Sequence, residues 1–212
     1  MPIKNDRLIE NFLSEVEKPG RYAGGEFGTR VKDKSKPLAT IALAYPDLYD
    51  VGMSYYGFQI LYHILNRDAQ IAAERVYTPW PDFEEKLRAH SIPLFALESC
   101  MPLKNFDIVG FTLPYELTAT NILNMLDLAG IPVYTKDRSD GDPIIIGGGS
   151  GTYNPEPLAP FFDCFVVGDG EEIVIPLVKE IATLKRQGTP RDKILLQLSA
   201  RFSGLYIPSL YD

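Results

Sequence analysis

Apolar residues along the chain alternate between two periods. Residues 38–45 (LATIALAY), 71–77 (IAAERVY), 106–112 (FDIVGFT), 143–146 (PIII) and 164–167 (CFVV) are short, mostly apolar runs. That is the pattern of strands buried on both faces. The stretches between them repeat at the helical period. Gly57, Ile60, Leu61, Ile64 and Leu65 form one stripe behind Ser54, a candidate N-cap, leaving Tyr56, Gln59 and His63 on the other face. Phe83 and Leu87 stand at i and i+4 in a short helix over 82–90, with His90 in its last turn. Ile122, Met125, Leu126 and Ala129 share a face that Gly130 ends, with Pro132 just beyond. A short helical stretch is expected over 154–161. Ile173, Leu177, Ile181 and Leu184 face inward on the last long helix, with Glu171 and Glu172 in its first turn, where acidic side chains complement the dipole.

Five strand-then-helix units in succession predict an α/β fold: a doubly wound five-stranded parallel sheet, flavodoxin-like or Rossmann-like, with order 2-1-3-4-5. Outside these units, Leu8, Ile9, Phe12, Leu13 and Val16 mark an amphipathic helix over 5–18, ended by Pro19 and Gly20. Residues 21–37 have no period and read as a surface connection with Tyr22 and Phe27 as anchors, and 93–97 as a short extended piece. A smaller helix over 193–198 and an apolar tail over 204–211 follow the sheet. The division is an amino-terminal extension over 1–37, an α/β domain over 38–188 and a carboxy-terminal extension over 189–212.

The stretch PIIIGGGSGTYNPEPLAPFFDCFVVGDGEE, residues 143–172, concentrates the chemistry. Two buried strands end there in Gly147-Gly148-Gly149-Ser150-Gly151 and Gly168-Asp169-Gly170-Glu171. Glycines at the carboxyl ends of parallel strands supply positive φ or let the backbone approach another group, and such loops are where open α/β sheets bind ligands. Either turn alone would also serve as an ordinary connection. In the predicted strand order, the loops at 45–53, 112–115, 147–152 and 168–171 crowd one edge and form one crevice.

Composition narrows what that crevice can hold. The 212 residues carry a net charge of −7, which excludes a broad electrostatic surface for nucleic acid or anionic lipid. The longest apolar runs are far too short to span a bilayer, and the amino terminus lacks an apolar signal core, so the expected location is the cytoplasm. Cys100 and Cys164 are the two cysteines and form no C-x-x-C pattern, so neither a disulfide framework nor a self-contained metal site is indicated. No G-x-G-x-x-G follows the first strand and no G-x-x-x-x-G-K-[ST] occurs. Carboxylates are frequent near the crevice (Asp47, Asp50, Glu116, Glu156, Asp163, Asp169, Glu171), but without partner histidines or a nucleophile and base they read as caps and solvated loops. No catalytic residue is assigned.

FDIVGFTLPYEL followed by the 143–172 stretch, together with KPGRYAGGE, YPDLYDVGMSYYGFQILYHILN, ERVYTPWPD and LNMLDLAGIP, resembles the amino-terminal cobalamin-binding-like domain of uncharacterised bacterial radical S-adenosylmethionine proteins. The resemblance covers most of the chain. It implies an accessory domain for a corrinoid (vitamin B12), with a radical barrel of the same protein as partner. The S-adenosylmethionine and 4Fe-4S cluster are then expected only in that barrel, because its C-x-x-x-C-x-x-C motif does not occur here. No catalysis by this chain alone is implied. The other reading is a non-binding interaction or substrate-access module. The apolar side chains of the first helix (Leu8, Phe12, Val16) and of the tail (Leu205, Tyr206, Ile207, Leu210, Tyr211) are expected to meet the partner domain or a second copy in a homodimer.

Domains of that kind often carry D-x-H-x-x-G after the first strand, its histidine replacing the lower axial base of the corrinoid. Here Asp50-Val51-Gly52 stands in that turn, so any bound cobalt is expected to lack a histidine ligand. By the resemblance, Thr112 would hydrogen-bond the aromatic base of the corrinoid's nucleotide tail. Gly147 and Gly148 would let that base slide against the backbone, and Gly168 and Gly170 would line the same cleft. The candidate cofactor-binding residues are Tyr45, Thr112, Leu113, Pro114, Gly147, Gly148, Gly149, Gly168, Gly170 and Glu171.

Overall fold

The computed structural model describes residues 11–32 and 39–211. Five parallel strands form the expected sheet: β1 (Ala39–Tyr45), β2 (Ile71–Tyr77), β3 (Ile108–Thr112), β4 (Ile144–Gly148) and β5 (Cys164–Val166). A sixth, β6 (Leu205–Tyr206), adds antiparallel to β5, giving the order 2-1-3-4-5-6. Two apolar tail residues carry no period that would have revealed it. The helices are α1 (Tyr49–Gly52, a single turn), α2 (Tyr56–Arg67), α3 (Pro81–Ala89), α4 (Ala119–Leu128), α5 (Val174–Arg186) and α6 (Arg191–Arg201). None of the described helices is long and apolar enough to cross a membrane.

Alternation of side chains along the strands sorts the core into two layers. Ala42, Ala44, Val109, Phe111, Ile145 and Phe165 face α3 and α4, where they meet Phe83, Leu87, Ile122 and Met125. Ile41, Leu43, Ile108, Ile144, Ile146 and Cys164 face α2, α5 and α6, where they meet Phe58, Tyr62, Leu177, Ile181 and Leu198.

Several local expectations change. The buried stripe of α2 is Phe58, Tyr62 and Leu65, while Ile60 is exposed and Leu61 half-buried. Aromatic packing sets this rotation: Phe58 lies edge-on to Tyr45 with ring centroids 5.7 Å apart, and the Arg75 guanidinium sits 4.6 Å above the Tyr62 ring. Ser54 does not cap the helix, because α1 draws it back to donate its hydroxyl to the Val51 carbonyl at 3.0 Å. Glu171 and Glu172 lie in a turn ahead of α5, whose first residue Val174 bonds its N–H to the Gly170 carbonyl at 2.9 Å.

Leu8 and Ile9 lie outside the described residues. Phe12 and Val16 are buried against the layer of α3 and α4, and Ile207 is buried on the opposite layer, so much of the apolar surface expected to be free packs within the chain. The connection that follows wraps the outer strand β2. Tyr22 stacks on Phe83 at 4.0 Å, Arg21 pairs with Asp50 at 2.5 Å, and Glu26 pairs with Arg75 at 2.6 Å. Phe27 is fully exposed and anchors nothing.

At the amino edge of the sheet, Asp163 ties β4, β5 and α6 together. Its carboxylate accepts from the Ile145 N–H at 2.7 Å, from Arg138 at 3.1 Å and from Arg191 at 2.6 Å. The Arg138 side chain is completely buried, and its other donors reach the carbonyls of Pro132, Val133 and Phe161. Removing one member of a buried ion cluster leaves an uncompensated charge, which costs about 3–5 kcal/mol. Asp163→Asn is therefore expected to lower unfolding stability by about that amount in urea denaturation. A loss below about 1 kcal/mol would show that the cluster is not a keystone.

Alternation also separates neighbouring glycines. A Cβ at Gly147 would stand 2.7 Å from Phe165 Cδ1 and 2.9 Å from Leu113 Cδ1, whereas one at Gly148 would meet nothing within 4 Å. Gly147→Ala is expected to destabilise by about 1–3 kcal/mol through overpacking. Gly148→Ala should stay within about 0.5 kcal/mol of the parent. Thermal melts of the two variants side by side check this, and equal losses would contradict the assigned faces.

Candidate functional site at the carboxyl edge of the sheet

The carboxyl ends of β1, β3, β4 and β5 meet as a rim held by hydrogen bonds. Tyr115 donates its hydroxyl to Asp47 at 2.6 Å, joining the loops after β3 and β1, and this bond pushes the phenol pKa up to about 12. Asn121 donates to the Pro46 carbonyl at 2.9 Å. The loop after β4 is fastened to that after β3: Gly151 N–H reaches Leu113 O at 2.8 Å, and Ser150 donates to Pro114 O at 3.0 Å. Gly149 and Gly168 adopt φ of 103° and 107°, a region costly for any residue with a Cβ, so both turns depend on glycine.

Beneath this rim lies an apolar cavity of about 240 Å³ between the sheet and helices α2 and α5. Its floor is Ile41, Leu43, Gly110, Ile146 and Val166, and its roof comes from Leu61 of α2 and from Ile173, Val174, Leu177 and Val178 around the start of α5. Gly110, in the middle of the central strand β3, is only half-buried, so the cavity reaches the centre of the sheet. Thr112, Gly148, Gly149, Gly168, Gly170 and Glu171 line the mouth. The charged lining residues are Asp169 and Glu171, both acidic and both exposed.

Six of the ten candidate residues thus share one cavity wall. Leu113 and Gly147 point to the opposite layer. Pro114 belongs to the loop that fastens the rim. Tyr45 is buried under α1, against Gly52, Tyr55 and Phe58. The aliphatic floor and roof were not assigned from sequence. A glycine in the middle of a strand, Gly110 in FDIVGFT, was the available signal, since it leaves a gap or allows a close approach.

A corrinoid can be tested against these residues by size. An apolar cavity of roughly 150 Å³ takes a benzene, so the space here suits a two-ring aromatic group. A whole corrinoid exceeds drug-sized ligands, whose pockets already run to roughly 300–1,000 Å³. The cavity therefore has room for a group the size of the aromatic base of such a tail and not for the macrocycle. The turn after β1 is filled by tyrosines: a Cβ at Gly52 would lie 2.6 Å from Tyr45 Cδ1 and 2.7 Å from Tyr77 Cε1. His63 is exposed on α2, its ring near Gly28 of the wrapping segment.

An iron–sulfur cluster does not fit. Cys164 is buried and its thiol pKa is pushed well above the usual range, and among the described residues no three His, Cys, Asp or Glu side chains gather as metal ligands.

Comparison with known proteins places the chain. Residues 57–208 match the family model described as "Radical SAM proteins, N-terminal". An uncharacterised protein of Methanocaldococcus jannaschii is 24% identical over 148 residues, which cover 68% of this chain and 27% of the relative. The chain thus spans about a quarter of that relative's length. No solved structure matches. With the family model covering well over half of its length, the chain belongs to the amino-terminal domains of radical S-adenosylmethionine proteins.

Proposed function

We propose that this domain is an accessory cofactor-binding module of a radical S-adenosylmethionine enzyme, and that its cavity takes the aromatic base of a corrinoid tail. The observation that carries the reading is the apolar cavity at the carboxyl edge, kept open where Gly110 and Gly148 have no side chain. A bound corrinoid would supply a cobalt centre for methyl or electron transfer to the radical barrel. The chain's own residues bind and orient. Leu61, Val174 and Leu177 exclude water from the base, and Thr112 offers a hydroxyl at the mouth. Gly148 leaves the backbone uncovered beside that path. With tyrosines filling the turn after β1, the protein contributes no imidazole to the metal.

A second reading rests on the rim itself. Tyr56 at the start of α2, and Leu117 and Tyr153 in the loops after β3 and β4, are each more than four-fifths exposed. Such a patch suits contact with the radical barrel, which the 4Fe-4S cluster and S-adenosylmethionine would occupy. In a chain separated from that barrel, the same patch would favour a homodimer.

Incubation with hydroxocobalamin followed by desalting separates the two. Retained corrinoid absorbance near one equivalent is expected, and Gly148→Leu should weaken retention at least about tenfold, since its side chain would enter the cavity from a position where a Cβ meets nothing within 4 Å. Absence of retained corrinoid by a folded protein would overturn the binding reading in favour of the interaction module.

A further inference from the structure

The chemistry of the cavity wall says which base it can take. Leu43, Leu61, Ile146, Val174 and Leu177 present only carbon to the interior, and the floor strands' backbone groups are engaged in the sheet ladder. Among the described lining residues, side-chain polar groups are those of Tyr55, Thr112, Asp169 and Glu171, at the carboxyl edge. A ring nitrogen or amino group carried down to Gly110 would shed its water and find no side-chain partner, whereas a methyl group there would be buried favourably.

We infer that the cavity discriminates by base, accepting a two-ring benzenoid base such as dimethylbenzimidazole and rejecting a purine. This rests on the corrinoid reading only in that a corrinoid is the ligand that would present such a base. The selectivity belongs to the wall itself. Both bases are of similar size and flatness, so shape contributes little and the difference comes from unsatisfied polar atoms. A pocket built this way penalises the more polar analogue by a factor of about ten or more.

The test uses the whole 212-residue chain with free 5,6-dimethylbenzimidazole and free adenine as probes, read by calorimetry and by the shift in melting temperature. Dimethylbenzimidazole is expected to bind at least about tenfold more tightly than adenine. Gly148→Leu should lose that binding while circular dichroism shows an intact fold. Val174→Thr, which nearly keeps the shape but adds a hydroxyl to the wall, should narrow the ratio between the bases. Equal or stronger binding of adenine, no binding of either base, or dimethylbenzimidazole binding that survives Gly148→Leu would each overturn the inference. Two corrinoids differing only in lower base, dimethylbenzimidazole or adenine, separate this from the corrinoid reading. Retention of both alike removes the selectivity and leaves that reading standing. Selective binding of the free base with no retention of either corrinoid removes that reading and leaves the selectivity standing.

Discussion

The two-residue alternation of β3 and β4 is the constraint on which the rest of the carboxyl edge depends. It sends Ile108, Gly110, Thr112, Ile146 and Gly148 to one face of the sheet, and Val109, Phe111, Ile145 and Gly147 to the other. On the second face Phe165 and Leu113 close the space over Gly147, giving a dense core. On the first, Gly110 and Gly148 put no side chain into the space below α2 and α5, and a cavity remains where a layered α/β domain would ordinarily be packed. A one-residue change of register would exchange the two faces and abolish the site.

The cavity survives because its surroundings are fixed from two sides. At the amino edge, Asp163 gathers Arg138, Arg191 and the Ile145 N–H, which sets the start of β4 and β5 relative to α6. At the carboxyl edge, the Tyr115–Asp47 bond and the bonds from Gly151 and Ser150 to the loop after β3 tie the rim loops to one another. Loops tied in this way have less freedom to lose on binding, and such ordering is one of the costs that erode affinity.

Much of the fold was legible in the sequence because both faces of the sheet are covered. Short, mostly apolar runs marked the parallel strands, and β2 occupies the expected span, 71–77, although Glu74 and Arg75 interrupt it. The glycines within 147–151 and 168–170 located the edge that holds the cavity. The interior of the site was harder to read. Leu61, Ile173 and Leu177 have the period of ordinary core residues, and only three-dimensional packing shows that they also line a cavity. The face of α2 was misjudged because aliphatic periodicity counted Ile60 and Ile64 but left out Phe58 and Tyr62, whose contacts with Tyr45, Tyr77 and Arg75 decide the rotation. β6 was missed because pairing with β5, and not side-chain period, defines it.

The central claim is that a ligand's apolar end enters between the sheet and α2 and α5. Methyl-resolved NMR of the protein saturated with 5,6-dimethylbenzimidazole tests it most directly, because each layer of the core carries its own methyl groups. Intermolecular contacts are expected from the ligand to Ile41, Leu43, Leu61, Val174 and Leu177, with none to Leu113 or Ile145 on the opposite face. Contacts confined to the exposed rim at Leu117 and Val51, with the cavity methyls undisturbed, would contradict the account.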